Sequence, residues 1–156
     1  ASPAGRALLA AHLRPTARVG EARALARAGA TAMIDVSDGL ALDLWRLCRA
    51  SGVGARISLP HVPVAPALLE LADVLGADPL ELALGGGEDY ELLATLPPGA
   101  VEPARAELAE AFGVSLAEIG GIIEGEGCTA VDAEGRERAL EPTGWDHFAG
   151  GDGRDG

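Results

Sequence analysis

Lysine, asparagine and glutamine are missing from all 156 residues. Without lysine the chain has no P-loop lysine, no strand lysine of the protein-kinase type and no Schiff-base nucleophile. Aromatic residues are only 3% of the chain, so Leu, Ala and Val must fill the core. Positive charge is scarce as well: with no lysine, all 12 cationic side chains are Arg, against 24 Asp and Glu, for a net charge of -12. So acidic a chain repels phosphate backbones. Its densest arginine run (Arg14, Arg18, Arg23, Arg27) is interleaved with Ala and Glu and reads as a solvated helix face, so a nucleic-acid partner is not expected. No apolar run reaches the ~18 residues that a membrane span needs, and no membrane association is expected. The two cysteines, Cys48 and Cys128, are far apart in sequence and form no C-x-x-C. With no secretory mark a disulfide is disfavoured, and Cys48, on an apolar helix face, reads as a small core residue. His12, His61 and His147 are scattered, which argues against a zinc site.

What is present is globular: 48% hydrophobic and 23% charged residues in a length suited to one domain. The chain opens Ala1-Ser2-Pro3, without Met or a signal-peptide pattern, and reads as a segment of a cytoplasmic protein. Helices are expected at 3–13 and 20–29, separated by Arg14-Pro15, and a short strand at Thr31 to Val36. An amphipathic helix follows, with Leu40, Leu44, Leu47 and Cys48 inward and Asp43, Arg46 and Arg49 outward, ended by Gly52. A strand at Val53 to Leu59 comes next, then a helix at 65–75 with Leu68, Leu71, Ala72 and Leu75 on one face. Asp78-Pro79 has the form of an N-cap with proline in the first turn, opening a helix to Leu84. Tyr90 to Leu96 reads as a strand and Pro97 to Phe112 as a helix, with Val101, Ala104, Leu108, Ala111 and Phe112 inward. Strands near 117–123, 128–132 and 136–140 close the pattern, the last two joined at Ala133-Glu134-Gly135. The expected fold class is α+β, a mixed β-sheet layered with helices, in one domain over residues 1–149. The Gly/Asp stretch 150–156 is expected to be a disordered tail.

Three clusters carry candidate chemistry. The first is Ile34-Asp35-Val36-Ser37-Asp38-Gly39-Leu40, at a strand-to-helix junction. Ser37 or Asp38 can cap the helix, but a cap does not explain Asp35 inside an apolar strand, where an unpaired buried carboxylate is costly. Asp35 and Asp38, three apart around a sharp turn, can face one mouth and hold a hard cation, since Mg²⁺ typically uses one or two carboxylates plus substrate phosphates. The helix N-terminus would also attract phosphate. An acid locked to arginine, or turned from the groove, would count against this reading. The second cluster is Gly85-Gly86-Gly87-Glu88-Asp89-Tyr90-Glu91. It reads either as a C-cap and solvated turn or as a ligand-facing loop in which Glu88 accepts hydrogen bonds from an amine or amidine. The third, Thr143 to Phe148, contains Trp145. That ring either packs the chain end or offers a flat face to a heteroaromatic group.

Taken together, I-D-V-S-D-G-L, G-G-G-E-D-Y-E-L-L and G-W-D-H-F resemble the C-terminal domain of the thiamine-monophosphate kinase family. That family belongs to the superfamily named for aminoimidazole ribonucleotide synthetase. The resemblance runs from about Ala30 to Phe148. It implies ATP-dependent phosphorylation of thiamine phosphate to thiamine diphosphate, by direct transfer with Mg²⁺ and without a catalytic lysine. On the matching positions it implies Asp35 and Asp38 as magnesium ligands, Ser37 as an ATP contact, and Glu88 and Trp145 as substrate-binding residues. The family enzyme is about twice this length. Its N-terminal half, which carries further aspartates, most nucleotide contacts and the dimer-forming sheet, is not represented, so the isolated domain is expected to be inactive and the full-length enzyme a homodimer. No catalytic residue is identified in this half. The alternatives are another ATP-dependent enzyme of the superfamily, similar to aminoimidazole ribonucleotide synthetase, or a non-catalytic nucleotide- or metal-binding module.

Overall fold

The computed structural model describes residues 2–142. Helix α1 (Pro3–Leu13) starts where Ser2 Oγ accepts the Gly5 N–H at 3.1 Å, with proline in the first turn. Helix α2 (Val19–Arg27) leads into β1 (Ala32–Val36). Helix α3 (Leu40–Ser51) ends at Gly52, whose φ of 67° puts the C-cap in the left-handed region that glycine enters without a Cβ penalty. Strand β2 (Gly54–Ser58), helix α4 (Pro66–Leu75) and helix α5 (Pro79–Gly85) follow. The Asp78 carboxylate caps α5, accepting from Leu80 N at 2.8 Å and Glu81 N at 3.4 Å, as its sequence predicts. Strand β3 (Glu91–Thr95), helix α6 (Val101–Phe112) and strands β4 (Gly120–Ile123), β5 (Cys128–Val131) and β6 (Glu137–Ala139) complete the chain.

The strands form two sheets among the described residues. One is the antiparallel ribbon β1–β3; the other has the order β4-β2-β5-β6 and is mixed, because β2 and β5 run parallel. The α+β class is as expected, with the strands divided between two sheets. The β1–β3 ribbon separates two groups of buried side chains. On one side α3 supplies Leu40, Ala41, Leu44 and Cys48, against Ala55 and Ile57 of β2 and Cys128 and Ala130 of β5. On the other, Ala24 and Leu25 of α2 meet Ala104 and Leu108 of α6, with Met33, Leu92 and Ala94 of the ribbon against them. Each fully buried Leu contributes about 1.5–3 kcal/mol relative to exposure, so α3 is the element the larger core most depends on.

Two expectations of inward packing and one of outward exposure fail. Helix α4 has no fully buried residue, and Leu75 is exposed. Phe112 is also partly exposed, because it is the last residue of α6 and lies over Gly20, where an added Cβ would meet its ring at 2.6 Å. Asp43, read as pointing outward, has no exposed surface. It stands one turn after Leu40 and one turn before Leu47, at the margin of the apolar stripe, so α3 carries it inward. Burial of Cys48 is as expected. Both cysteines are free, and they meet within the core, where burial pushes the Cys48 thiol up to about 12, with Cys128 reinforcing the shift. No helix among the described residues is long and apolar enough to cross a membrane.

Candidate functional site

The β1–β3 ribbon brings the first two sequence clusters together. Its register sets Asp35 opposite Leu92 and Val36 opposite Glu91, so the loop leaving β1 and the loop entering β3 emerge side by side. Backbone bonds extend the ribbon into both loops: Glu88 N donates to Ser37 O at 2.7 Å and Tyr90 N to Val36 O at 2.8 Å. Glycine makes this approach feasible. A Cβ on Gly87 would fall 2.8 Å from Ser37 O, and one on Gly39, itself at φ 117°, would lie 3.1 Å from the backbone of Gly85 and Leu84. Glu88 and Tyr90 have φ of 66° and 52°. Each such non-glycine residue in the left-handed region costs about 1–3 kcal/mol, strain that tends to collect at binding sites.

Asp35 ends on the ribbon face it shares with Met33, but its side chain is exposed at the strand's end, and it makes no hydrogen bond or ion pair among the described residues. The expectation of a carboxylate buried in an apolar strand is thereby corrected: the strand runs out beneath it. Asp38 is held differently. Its Oδ2 accepts from Arg46 Nη1, and its side chain is 18% exposed against 43% for that of Arg46. This is the arginine contact that counts against a free metal ligand, although solvent reaches both partners. The Arg46 guanidinium is held above its usual range, chiefly by the hydrogen bond to Asp38.

Beneath this pair lies Asp43, the residue that sequence reasoning missed. Its Oδ2 accepts Ser37 N at 2.9 Å and Asp38 N at 3.0 Å, and its Oδ1 accepts Arg46 Nη1 at 2.9 Å. The N-cap is Gly39, without a side-chain cap, so neither Ser37 nor Asp38 caps α3. A carboxylate from the helix's own first turn reaches back to satisfy the preceding loop, as in a capping box. An acid three or four residues after a capping segment was the available signal. The consequence is electrostatic. Two loop N–H groups that could have met a phosphate are already bonded to the protein's own anion, so a phosphate here would depend on cations more than on backbone donors.

Glu88 extends into solvent, its side chain 62% exposed, with Oε2 3.6 Å from His12 Nδ1 of α1. Partial desolvation pushes the carboxyl of neighbouring Asp89 up to about 6, with the Glu91 carboxylate adding to the shift, although the residue as a whole is exposed. Glu91 is tied down by Arg18, whose Nη2 and Nε donate to Oε1 and Oε2 at 2.7 and 3.1 Å. Arg18 thus leaves the solvated face assigned to it and braces the second loop. Among the described residues no three His, Cys, Asp or Glu side chains stand together as a metal-holding group. The donors that fit a hard divalent cation are the oxygens of Asp35 and Asp38. Asp35 presents its carboxylate openly; that of Asp38 is engaged by Arg46. Trp145 lies outside the described residues, as do 150–156.

The family model for AIR synthase related protein, C-terminal domain, matches residues 3–133. Thiamine-monophosphate kinase of Aquifex aeolicus is 38% identical over 142 residues, covering 91% of this chain and 42% of that protein. Its counterpart from Halobacterium salinarum is 41% identical over 130 residues, covering 83% and 41%. The chain therefore spans about two fifths of the length of the curated relatives it matches. Among solved structures, AaThiL complexed with AMPPCP and TMP superposes with a TM-score of 0.79 at 36% identity, covering 95% of this chain and 43% of that one. The hydrogenase maturation protein HypE of E. coli superposes at 0.70 with 24% identity over 83% of this chain and 41% of its own, a likeness of fold alone. With the family model spanning most of its length, the chain belongs to the AIR synthase related proteins, whose C-terminal domain it carries.

Proposed function

We propose that this chain is the C-terminal part of a kinase that phosphorylates thiamine phosphate to thiamine diphosphate with ATP. The observation that supports the reading is the stitching of the Ser37–Asp38 loop to the Gly87–Tyr90 loop, which joins the two sequence motifs by direct backbone bonds. The likeness to a structure complexed with AMPPCP and TMP, and to kinases named for thiamine monophosphate, supports ATP and thiamine phosphate as the ligands. Asp35 and Asp38 would hold Mg²⁺, and Ser37 would contact ATP. Bound there, the cation would neutralise charge on the transferring phosphoryl group. Glu88, exposed and backbone-strained, would orient the substrate's amino-bearing ring, with Trp145 supplying an aromatic face. Cytoplasmic residence and a homodimer of the complete enzyme belong to the same reading.

The proposed site has one wall in this chain, so the reading requires a second body of protein. The test is reconstitution: the 156-residue chain, alone and mixed with the N-terminal remainder of the Aquifex aeolicus kinase, is assayed for thiamine diphosphate. The chain alone is expected to form none and the mixture to form it. Robust product from the chain alone would overturn the division of the site. Failure of the mixture, with both parts folded and associated, would overturn the kinase reading.

A further inference from the structure

We propose that the outer face of the α1–α4 helix pair is the docking surface for the N-terminal remainder of the kinase. The inference rests on reading this chain as the C-terminal part of that enzyme. Helix α4, PALLELADVL, is apolar around most of its circumference, with Glu70 and Asp73 its only polar side chains. Helix α1, PAGRALLAAHL, is similar, interrupted only by Arg6 and His12. A helix of that composition belongs inside a protein. Here neither is inside. No residue of α4 is fully buried, α1 buries Ala4 alone, and neither helix gives a side chain to the two buried clusters. The two pack against each other and leave Leu9, Leu13, Leu69, Val74 and Leu75 exposed, Val74 by 82%. Single exposed leucines are ordinary, but this many on one pair of packed helices mark an interaction surface.

Position and length argue for the occupant. His12, in the last turn of α1, stands 3.6 Å from Glu88, and α5, packed on α4, runs into Gly86. The helix pair therefore flanks the loop at which the proposed site needs its second wall. The chain covers 42% of the Aquifex aeolicus kinase, which leaves more than half of that protein to supply the wall. A body of that size seated on the loop also covers the helices beside it. Their leucines and valine give the contact the apolar centre that a stable interface has.

The experiment mixes the 156-residue chain with the N-terminal remainder of the Aquifex aeolicus kinase and measures affinity by calorimetry. Leu9→Arg, Leu69→Arg and Val74→Arg each alter an exposed side chain, and circular dichroism checks that each variant folds. Each is expected to weaken binding about tenfold or more, as loss of an interface anchor does. Ile122→Arg, on the edge strand β4 and equally apolar and exposed, is expected to bind as the parent does. In the parent chain, amide exchange in α1 and α4 is expected to slow on mixing, a readout that needs no variant. Unchanged affinity in all three variants with unchanged exchange in both helices overturns the proposal, and so does a parent that does not bind. A chain that dimerises by itself through these residues overturns it too, since a second copy is then the occupant. If the variants lose binding while the associated parent mixture forms no thiamine diphosphate, the docking surface stands and the kinase reading falls.

Discussion

Asp89 sits next to Glu88 in the turn before β3, and burial, with the Glu91 carboxylate nearby, lifts its carboxyl to about 6 from an ordinary 3.8. The folded chain therefore holds that proton more tightly than the unfolded chain. Between the two values the native state binds more protons, so stability falls as pH rises through about 4 to 6 and stays reduced above. Asp89→Asn, fixed in the neutral form, is expected to raise the urea midpoint relative to the parent at pH 7.5 and to leave it nearly unchanged at pH 4. An equal difference at both pH values would mean that the carboxyl is not desolvated as the fold implies. At this scale the sequence exposed the residues that break a pattern. Asp35, Ser37, Asp38 and Glu88 interrupt apolar runs and are visible as letters. Asp43 was invisible because it lies at the margin of a good apolar stripe, and only the loop it reaches back to explains its burial.

The loops between elements depend on glycine where two backbones nearly touch. Gly87 lies so close to Ser37 O that any side chain must push the loops apart. Gly87→Ala is expected to cost about 1–3 kcal/mol, a typical penalty for forcing atoms into filled space. It should also speed exchange of the Glu88 and Tyr90 amide protons, which donate to Ser37 O and Val36 O. Hydrogen exchange by mass spectrometry or NMR reads this directly; unchanged protection at both amides would show that the loops are not stitched as described. Elements with strong local signals were legible: the Asp78-Pro79 cap of α5, the Gly52 stop of α3, and the turn from β5 to β6 around Ala133-Glu134-Gly135. The pairing of β1 with β3 was not, because it joins strands separated by three helices, and period-2 alternation says nothing about which partner a strand takes. The same holds for Arg18, whose bond to Glu91 crosses that distance and cannot be read from the helix face it occupies.

At the scale of the molecule, the α+β layering was readable from the alternation of helix and strand patterns, whereas the division into a ribbon and a separate mixed sheet came only from long-range pairing. The ribbon is the element that brings two distant sequence motifs side by side. Since the chain covers about two fifths of the relatives' length, the proposed site would take its other wall from a second body of protein. The decisive measurement is the Mg²⁺ dependence of thiamine diphosphate formation by the reconstituted enzyme, comparing the parent with Asp35→Asn. Losing this open carboxylate is expected to lower the maximal rate about a hundredfold, the scale seen when one group stabilising transition-state charge is removed, and to raise the Mg²⁺ concentration needed for half-maximal rate. A variant with the parent's rate and the parent's Mg²⁺ requirement would contradict the assignment of this loop as the cation-holding edge of a kinase site.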